Sequence, residues 1–174
     1  VSHSVVSDRI EAGSFAIASS ITMGDVEINN INPKNLTEFI NVLQYTGSKV
    51  EIFNNSMRVS STKRPKPYYV ITNPYPGFPT DLQAQYMALM AIADGKTLIK
   101  ETIFENRFMH VPELMRMGAK ISVNHQEAEI YGVKKLKGAR VMASDLRASM
   151  CLIIGALSAS GTSEIDGLYH LDRG

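Results

Sequence analysis

Thr80-Asp-Leu-Gln-Ala-Gln-Tyr-Met-Ala-Leu-Met-Ala-Ile-Ala-Asp-Gly-Lys-Thr-Leu-Ile99 holds a helix start, an apolar helix body and a glycine that opens a strand. The same layout occurs twice more. Ser7-Asp8 runs through an apolar stretch to Gly24-Asp-Val-Glu-Ile28, and Ser144-Asp145 runs through another to Gly161-Thr-Ser-Glu-Ile165. From Asp to Gly the separations are 16, 14 and 16 positions. After each glycine comes an alternating run, at 26–29, 97–100 and 163–166, and alternation of period two is the pattern of a strand.

Working outward, each strand should lead to a second helix that ends on glycine. The spacing predicts helices over 35–45 and 112–117, with Gly47 and Gly118 as left-handed C-caps and Pro112 in a first turn. Gly24 to Gly47 and Gly95 to Gly118 are both 23 positions. Paired strand signals follow each cap, at 49–53 with 57–60 and at 120–123 with 128–131. Asn54-Asn55 and His125-Gln126 fall at the turns. Further strands at 68–72 and 139–143 lead into the next Ser/Thr-Asp pair.

The repeating unit is therefore β-α-β-α-β-β, present as two full copies (about 1–66 and 67–138) and the first half of a third (139–174). The helices that begin at Ser7, Thr80 and Ser144 are apolar nearly all round. Phe15 to Ile21, Met87 to Ile92 and Met150 to Leu157 supply their bodies. A helix without a polar face is buried on all sides. The expected fold class is α/β (α+β), with buried helices inside and sheets outside, the inverse of an ordinary α/β barrel. A half unit leaves apolar faces that a further helix and hairpin should cover.

Composition narrows the function. The 174 residues carry 18 Lys plus Arg against 17 Asp plus Glu, a net charge of +1, which argues against a general nucleic-acid or anionic-membrane binder. A single cysteine excludes a disulfide framework and a cysteine-based zinc site, and the four histidines lack metal-ligand spacing. No run reaches the roughly 18 apolar residues of a spanning helix, and no signal peptide opens the chain, so cytoplasm is the expected location.

Asp8, Asp81 and Asp145 each follow a Ser or Thr at a helix start. One reading is structural, with the hydroxyl as N-cap and the acid favouring the helix dipole; Thr80-Asp-Leu-Gln83 even fits a capping box. The other reading is chemical, and it is favoured at Asp81 by the stiff loop Asn73-Pro-Tyr-Pro-Gly-Phe-Pro79 before it. Arg107 and Arg173 both stand 12 positions past a unit glycine, where the first copy has Leu36, so the repeat does not itself demand arginine. With Arg147 they form a set of guanidinium forks suited to phosphate and carboxylate groups. Cys151 reads as buried packing, and Lys63-Arg-Pro-Lys66 as a solvated turn.

Four motifs, Phe78-Pro-Thr-Asp-Leu-Gln-Ala-Gln85, Glu105-Asn-Arg-Phe-Met-His-Val-Pro-Glu-Leu114, Ala143-Ser-Asp-Leu-Arg-Ala-Ser149 and Tyr169-His-Leu-Asp-Arg-Gly174, resemble the UDP-N-acetylglucosamine 1-carboxyvinyltransferase family, the enolpyruvyl transferases of peptidoglycan synthesis. The likeness runs from Asp8-Arg-Ile-Glu-Ala-Gly13 to the end. A sister family acting on shikimate 3-phosphate shares the fold. The resemblance implies a bacterial enzyme of two inside-out α/β barrel domains, of which this chain is one incomplete domain, the second domain being absent. It implies transfer of enolpyruvyl from phosphoenolpyruvate to the sugar 3-hydroxyl, with phosphate release and no metal or cofactor. It also implies roles: Asp81 binds the 3-hydroxyl and acts as general base, and Ile103 lines the UDP-sugar site. Arg107, Arg147 and Arg173 face the phosphoenolpyruvate, with Asp145 near and Arg9 less direct. The reactive cysteine of the family lies in the other domain, and Cys151 does not match it, so the fragment alone is expected to be inactive. A non-catalytic UDP-sugar-binding or regulatory relative is the alternative.

Overall fold

The computed structural model describes residues 1–3 and 5–173, the side chains of His170, Asp172 and Arg173 aside. The first copy consists of α1 (Arg9–Ile21), β1 (Asp25–Asn29), α2 (Thr37–Tyr45), β2 (Lys49–Ile52) and β3 (Ser56–Ser60). The second adds a leading strand: β4 (Val70–Ile71), α3 (Gln83–Ala91), β5 (Lys96–Lys100), α4 (Val111–Arg116), β6 (Lys120–Asn124) and β7 (Glu127–Tyr131). The third runs β8 (Arg140–Met142), α5 (Leu146–Ser158) and β9 (Glu164–Asp166), then a 3-10 turn over Leu168–Arg173.

Each copy contributes its own sheet, and no closed barrel forms among the described residues. The orders are β1-β3-β2, β4-β5-β7-β6 and β8-β9. β4 runs parallel to β5 with Val70 opposite Ile99, and β8 runs parallel to β9 with Val141 opposite Ile165. β5 is antiparallel to β7, and β7 to β6, as β1 is to β3 and β3 to β2. The first sheet therefore lacks the leading strand that the repeat predicts, and the outer edge of β1 is unpaired among the described residues.

α1, α3 and α5 pack against one another inside these sheets, as the apolar runs predict. All nine residues of α3 are buried, including Met87, Leu89 and Met90. Each such side chain contributes about 1.5–3 kcal/mol by leaving water. The other two helices depart from the expectation: Phe15 on α1 and Leu157 on α5 are exposed, because no described element covers those faces. Inward strand residues Met57, Val59, Ile99, Ala128 and Ile130 close the core from the sheet side.

Both second helices end as their glycines predict. Gly47 (φ 102°) and Gly118 (φ 89°) occupy the left-handed region. Gly47 N–H donates to Gln44 and Ser48 N–H to Leu43; Gly118 and Ala119 do the same to Met115 and Leu114. These paired bonds satisfy carbonyls that the helix itself leaves free. Three local expectations are corrected. At α1 and α5 the caps are Asp8 and Asp145 themselves, not the preceding serines, because each carboxylate reaches two N–H groups of the first turn. The capping box at Thr80 does not form, since that hydroxyl donates to Glu101 instead. The strand expected over 68–72 shortens to Val70–Ile71, because Tyr68 turns out to stack on Tyr45 at 4.8 Å and gives its carbonyl to the Tyr86 hydroxyl.

Arg64 in the expected solvated turn is also engaged. It donates to the carbonyls of Ile92 (3.1 Å), Ala93 (2.8 Å) and Val133 (3.2 Å) and pairs with Asp94. A guanidinium there satisfies carbonyls just beyond α3, at the negative end of the helix dipole. Cys151 is fully buried, and burial pushes its thiol up, so it packs rather than reacts.

Candidate active site

The N-terminal ends of α1, α3 and α5 meet at one end of the core. Asp8, Glu11, Ser14, Asp81, Gln85 and Arg147 line a cleft of about 490 Å³ there. A second hollow of about 470 Å³ adjoins it, with Arg9, Asn35, Tyr75 and again Asp81 in its wall. Asp81 is thus shared between the two.

Asp81 sits in a 3-10 turn (Thr80–Leu82) that precedes α3, and its carboxylate caps nothing. One oxygen, Oδ1, accepts from Arg107 Nη2 at 2.7 Å and from Arg147 Nε at 2.5 Å. The three side chains come from three elements: the turn before α3, the loop between β5 and α4, and the first turn of α5. Partial burial and the neighbouring Arg147 guanidinium pull Arg107 below the ordinary arginine range, with Asp81 and Glu101 opposing them. Arg107 also lies over the Phe104 ring at 4.6 Å, while its Nε is buried and unpartnered in this arrangement. Guanidinium forks are the groups that pair with phosphate and carboxylate, and a carboxylate is a group that can exchange a proton.

The remaining predicted residues surround this group. Asp145 caps α5 through Arg147 N–H (2.8 Å) and Ala148 N–H (3.0 Å), so it sets the helix turn that carries Arg147. Arg9 lies over the Tyr75 ring at 5.0 Å in the adjoining hollow. Ile103 is half-buried on the loop that leads to Arg107. Arg173 belongs to the closing turn, and its side chain lies outside the described residues.

Two neighbours were not singled out by sequence. Glu101 is buried, yet accepts four hydrogen bonds: from Thr72 Oγ1 (2.9 Å), Thr80 Oγ1 (2.8 Å), Ile103 N–H (2.8 Å) and Phe104 N–H (3.1 Å). His110 is buried within electrostatic reach of Asp145 and Arg107, with Nε2 unpartnered, and burial pulls its imidazole down to about 4. The signal for both was available. By the equal glycine spacing, Glu101 corresponds to Asn30 and His110 to Phe39, so the repeat imposes neither residue.

The cleft thus sets two guanidinium groups on one carboxylate at the ends of the buried helices. The chain belongs to the EPSP synthase (3-phosphoshikimate 1-carboxyvinyltransferase) family, which matches residues 1–174. Within it, the chain is 52% identical over 174 residues to the UDP-N-acetylglucosamine 1-carboxyvinyltransferases of Geobacter metallireducens and Geotalea uraniireducens. All of this chain, but 42% of each of those proteins, is covered. Among solved structures, the enolpyruvyl transferase NikO from Streptomyces tendae superposes with a TM-score of 0.88 at 25% identity, covering 98% of this chain and 41% of that one. EPSP synthase from Acinetobacter baumannii superposes with a TM-score of 0.75 at 18% identity over 96% of this chain and 43% of that one, a likeness of fold.

Proposed function

We propose that this chain is part of a transferase that moves enolpyruvyl from phosphoenolpyruvate to the 3-hydroxyl of UDP-N-acetylglucosamine. The observation that carries the reading is the meeting of Arg107 and Arg147 on Asp81 at the mouth of the buried helices. The named relatives at 52% identity support the choice of acceptor. In this reading Asp81 takes the proton from the sugar hydroxyl, whose oxygen adds to C2 of phosphoenolpyruvate while C3 gains a proton from a general acid on the second domain. Loss of a proton from C3 and of phosphate from C2 then leaves the enol ether. Arg107, Arg147 and Arg173 hold the phosphate and carboxylate, Ile103 lines the sugar site, and Asp145 and Arg9 support them. Asp81 can meet the hydroxyl once the arginines turn to the incoming anion, because both of them now donate to its Oδ1.

The chain spans about two-fifths of the length of these relatives. The reading therefore assigns it to one incomplete domain of units 1–66, 67–138 and 139–174, with the second domain of the same chain closing over the cleft to exclude water. It places the enzyme in the bacterial cytoplasm. No helix among the described residues is long and apolar enough to cross a membrane.

The test is phosphate release by the full-length protein given phosphoenolpyruvate with either UDP-N-acetylglucosamine or shikimate 3-phosphate. Release that requires the UDP-sugar supports the reading. Release with shikimate 3-phosphate alone transfers the chain to the sister activity. Binding of UDP-sugar without release makes it a non-catalytic relative.

A further inference from the structure

We propose that Glu101 is a positioning residue that sets Asp81 and the Ile103–Arg107 loop in register with each other, a proposal that rests on the transferase reading above. A buried carboxylate is costly unless its oxygens are fully engaged. The bonds to Glu101 join three separate segments. Thr72 ends the stretch after β4, Thr80 immediately precedes Asp81, and the N–H groups of Ile103 and Phe104 open the loop toward Arg107. The Thr72 hydroxyl also accepts from Thr102 N–H at 2.9 Å, and Thr102 Oγ1 donates to the Thr72 carbonyl at 2.5 Å. The loop is therefore fastened on both sides of Glu101. Phe104, whose N–H is held, is the ring beneath Arg107.

The repeat does not impose this carboxylate. Six positions past the unit glycine, the first copy has Asn30 and the third has Gly167, and both copies build the following turn without an acid. Glu101 lies in the one copy whose helix-start aspartate caps no helix N–H. Its contacts reach the two sides of the cleft that the reaction must bring together: the base on the α3 side and the sugar-lining loop on the β5 side.

The experiment uses the full-length protein and the variants Thr80→Val, Glu101→Ala and Glu101→Gln, with kcat, KM and melting temperature measured for each. Thr80→Val removes only the link beside Asp81, and is expected to lower kcat about 10-fold while KM for the UDP-sugar and the melting temperature stay near wild type. Glu101→Ala frees both sides, and is expected to lower kcat about 100-fold and also to raise that KM. Glu101→Gln keeps an oxygen for Thr72 and the two N–H groups, and its amide can meet a reversed Thr80 hydroxyl, so kcat should return to within a few-fold of wild type. Wild-type kcat and KM in both Thr80→Val and Glu101→Ala would overturn the proposal. So would losses that follow only the drop in melting temperature. A wild-type protein without turnover would sink the transferase reading instead. Hydrogen exchange at the Ile103 and Phe104 amides then decides the positioning role: faster exchange in Glu101→Ala upholds it, and unchanged exchange overturns it.

Discussion

The first and second copies start their buried helices with the same dipeptide pattern, yet use the aspartate differently. Asp8 turns its carboxylate back onto Ile10 and Glu11 N–H, and Asp145 does the same in the third copy. Asp81 turns away and meets two arginines. The cause is local. A 3-10 turn begins one residue before Asp81, behind the N-cap position held by Pro79, and the preceding hydroxyl is drawn to Glu101. The contrast continues downstream, where Leu36 and Phe39 of the first copy are apolar core and their counterparts are Arg107 and His110. One copy of the fold is packing, and its near duplicate has exchanged packing groups for polar ones around a cleft.

The largest expected effect tests that division directly. Asp81→Ala in the full-length protein should lower enolpyruvyl transfer by about 100- to 10,000-fold, the usual weight of a general base. Asp8→Ala should have no effect of that size, and steady-state phosphate release from both variants would expose equal losses if the division is false.

His110 offers the next test. The unfolded imidazole takes up a proton near 6.5, whereas the folded one resists until about 4. Below pH 7 the unfolded state therefore binds more protons, and stability falls as pH falls. The loss between pH 7 and pH 5 should be about 2 kcal/mol from this group. Urea unfolding at several pH values checks it, and His110→Phe, which copies Phe39, should flatten that slope.

The smallest effect belongs to the caps. Asp8→Ala should reduce stability by about 1 kcal/mol, seen as a fall of a few degrees in melting temperature. If Asp81→Ala gives an equal loss of stability, then Asp81 is supporting its helix after all, and the contrast between copies narrows.

Most of the architecture was legible because it repeats. Three Asp-to-Gly segments, two glycine C-caps at equal spacing and two hairpins with two-residue turns all report on backbone geometry, which local sequence dictates. The first copy carries no such local signal for a leading strand, and none forms among the described residues. At the site, Asp81, Arg107 and Arg147 stand out by residue type, but their meeting on a single oxygen depends on how the turn before α3, the loop after β5 and the first turn of α5 pack. Glu101 carries no sequence signal of its own, because an isolated acid beside a strand usually faces water. Only the fold shows that it faces two threonines and two amides. Arg64 departs from its expected solvated turn for the same reason, since a basic run carries no sign of which carbonyls lie within reach.

Arg64 has a wider consequence. It follows the last strand of the first copy and grips the chain just past α3 and just past β7, both in the second. The backbone around it is fastened on either side, with Lys66 N–H bonded to Thr46 and Asp94 N–H to Pro65. In stacked repeats whose units touch only their neighbours' faces, one unit can melt while the next persists. Here the connector is bonded to the chain at the end of α3, so opening either copy breaks bonds to the other. The two units should thus lose structure in one cooperative transition, and evolution can alter the polar face of the second copy only within what the first will tolerate.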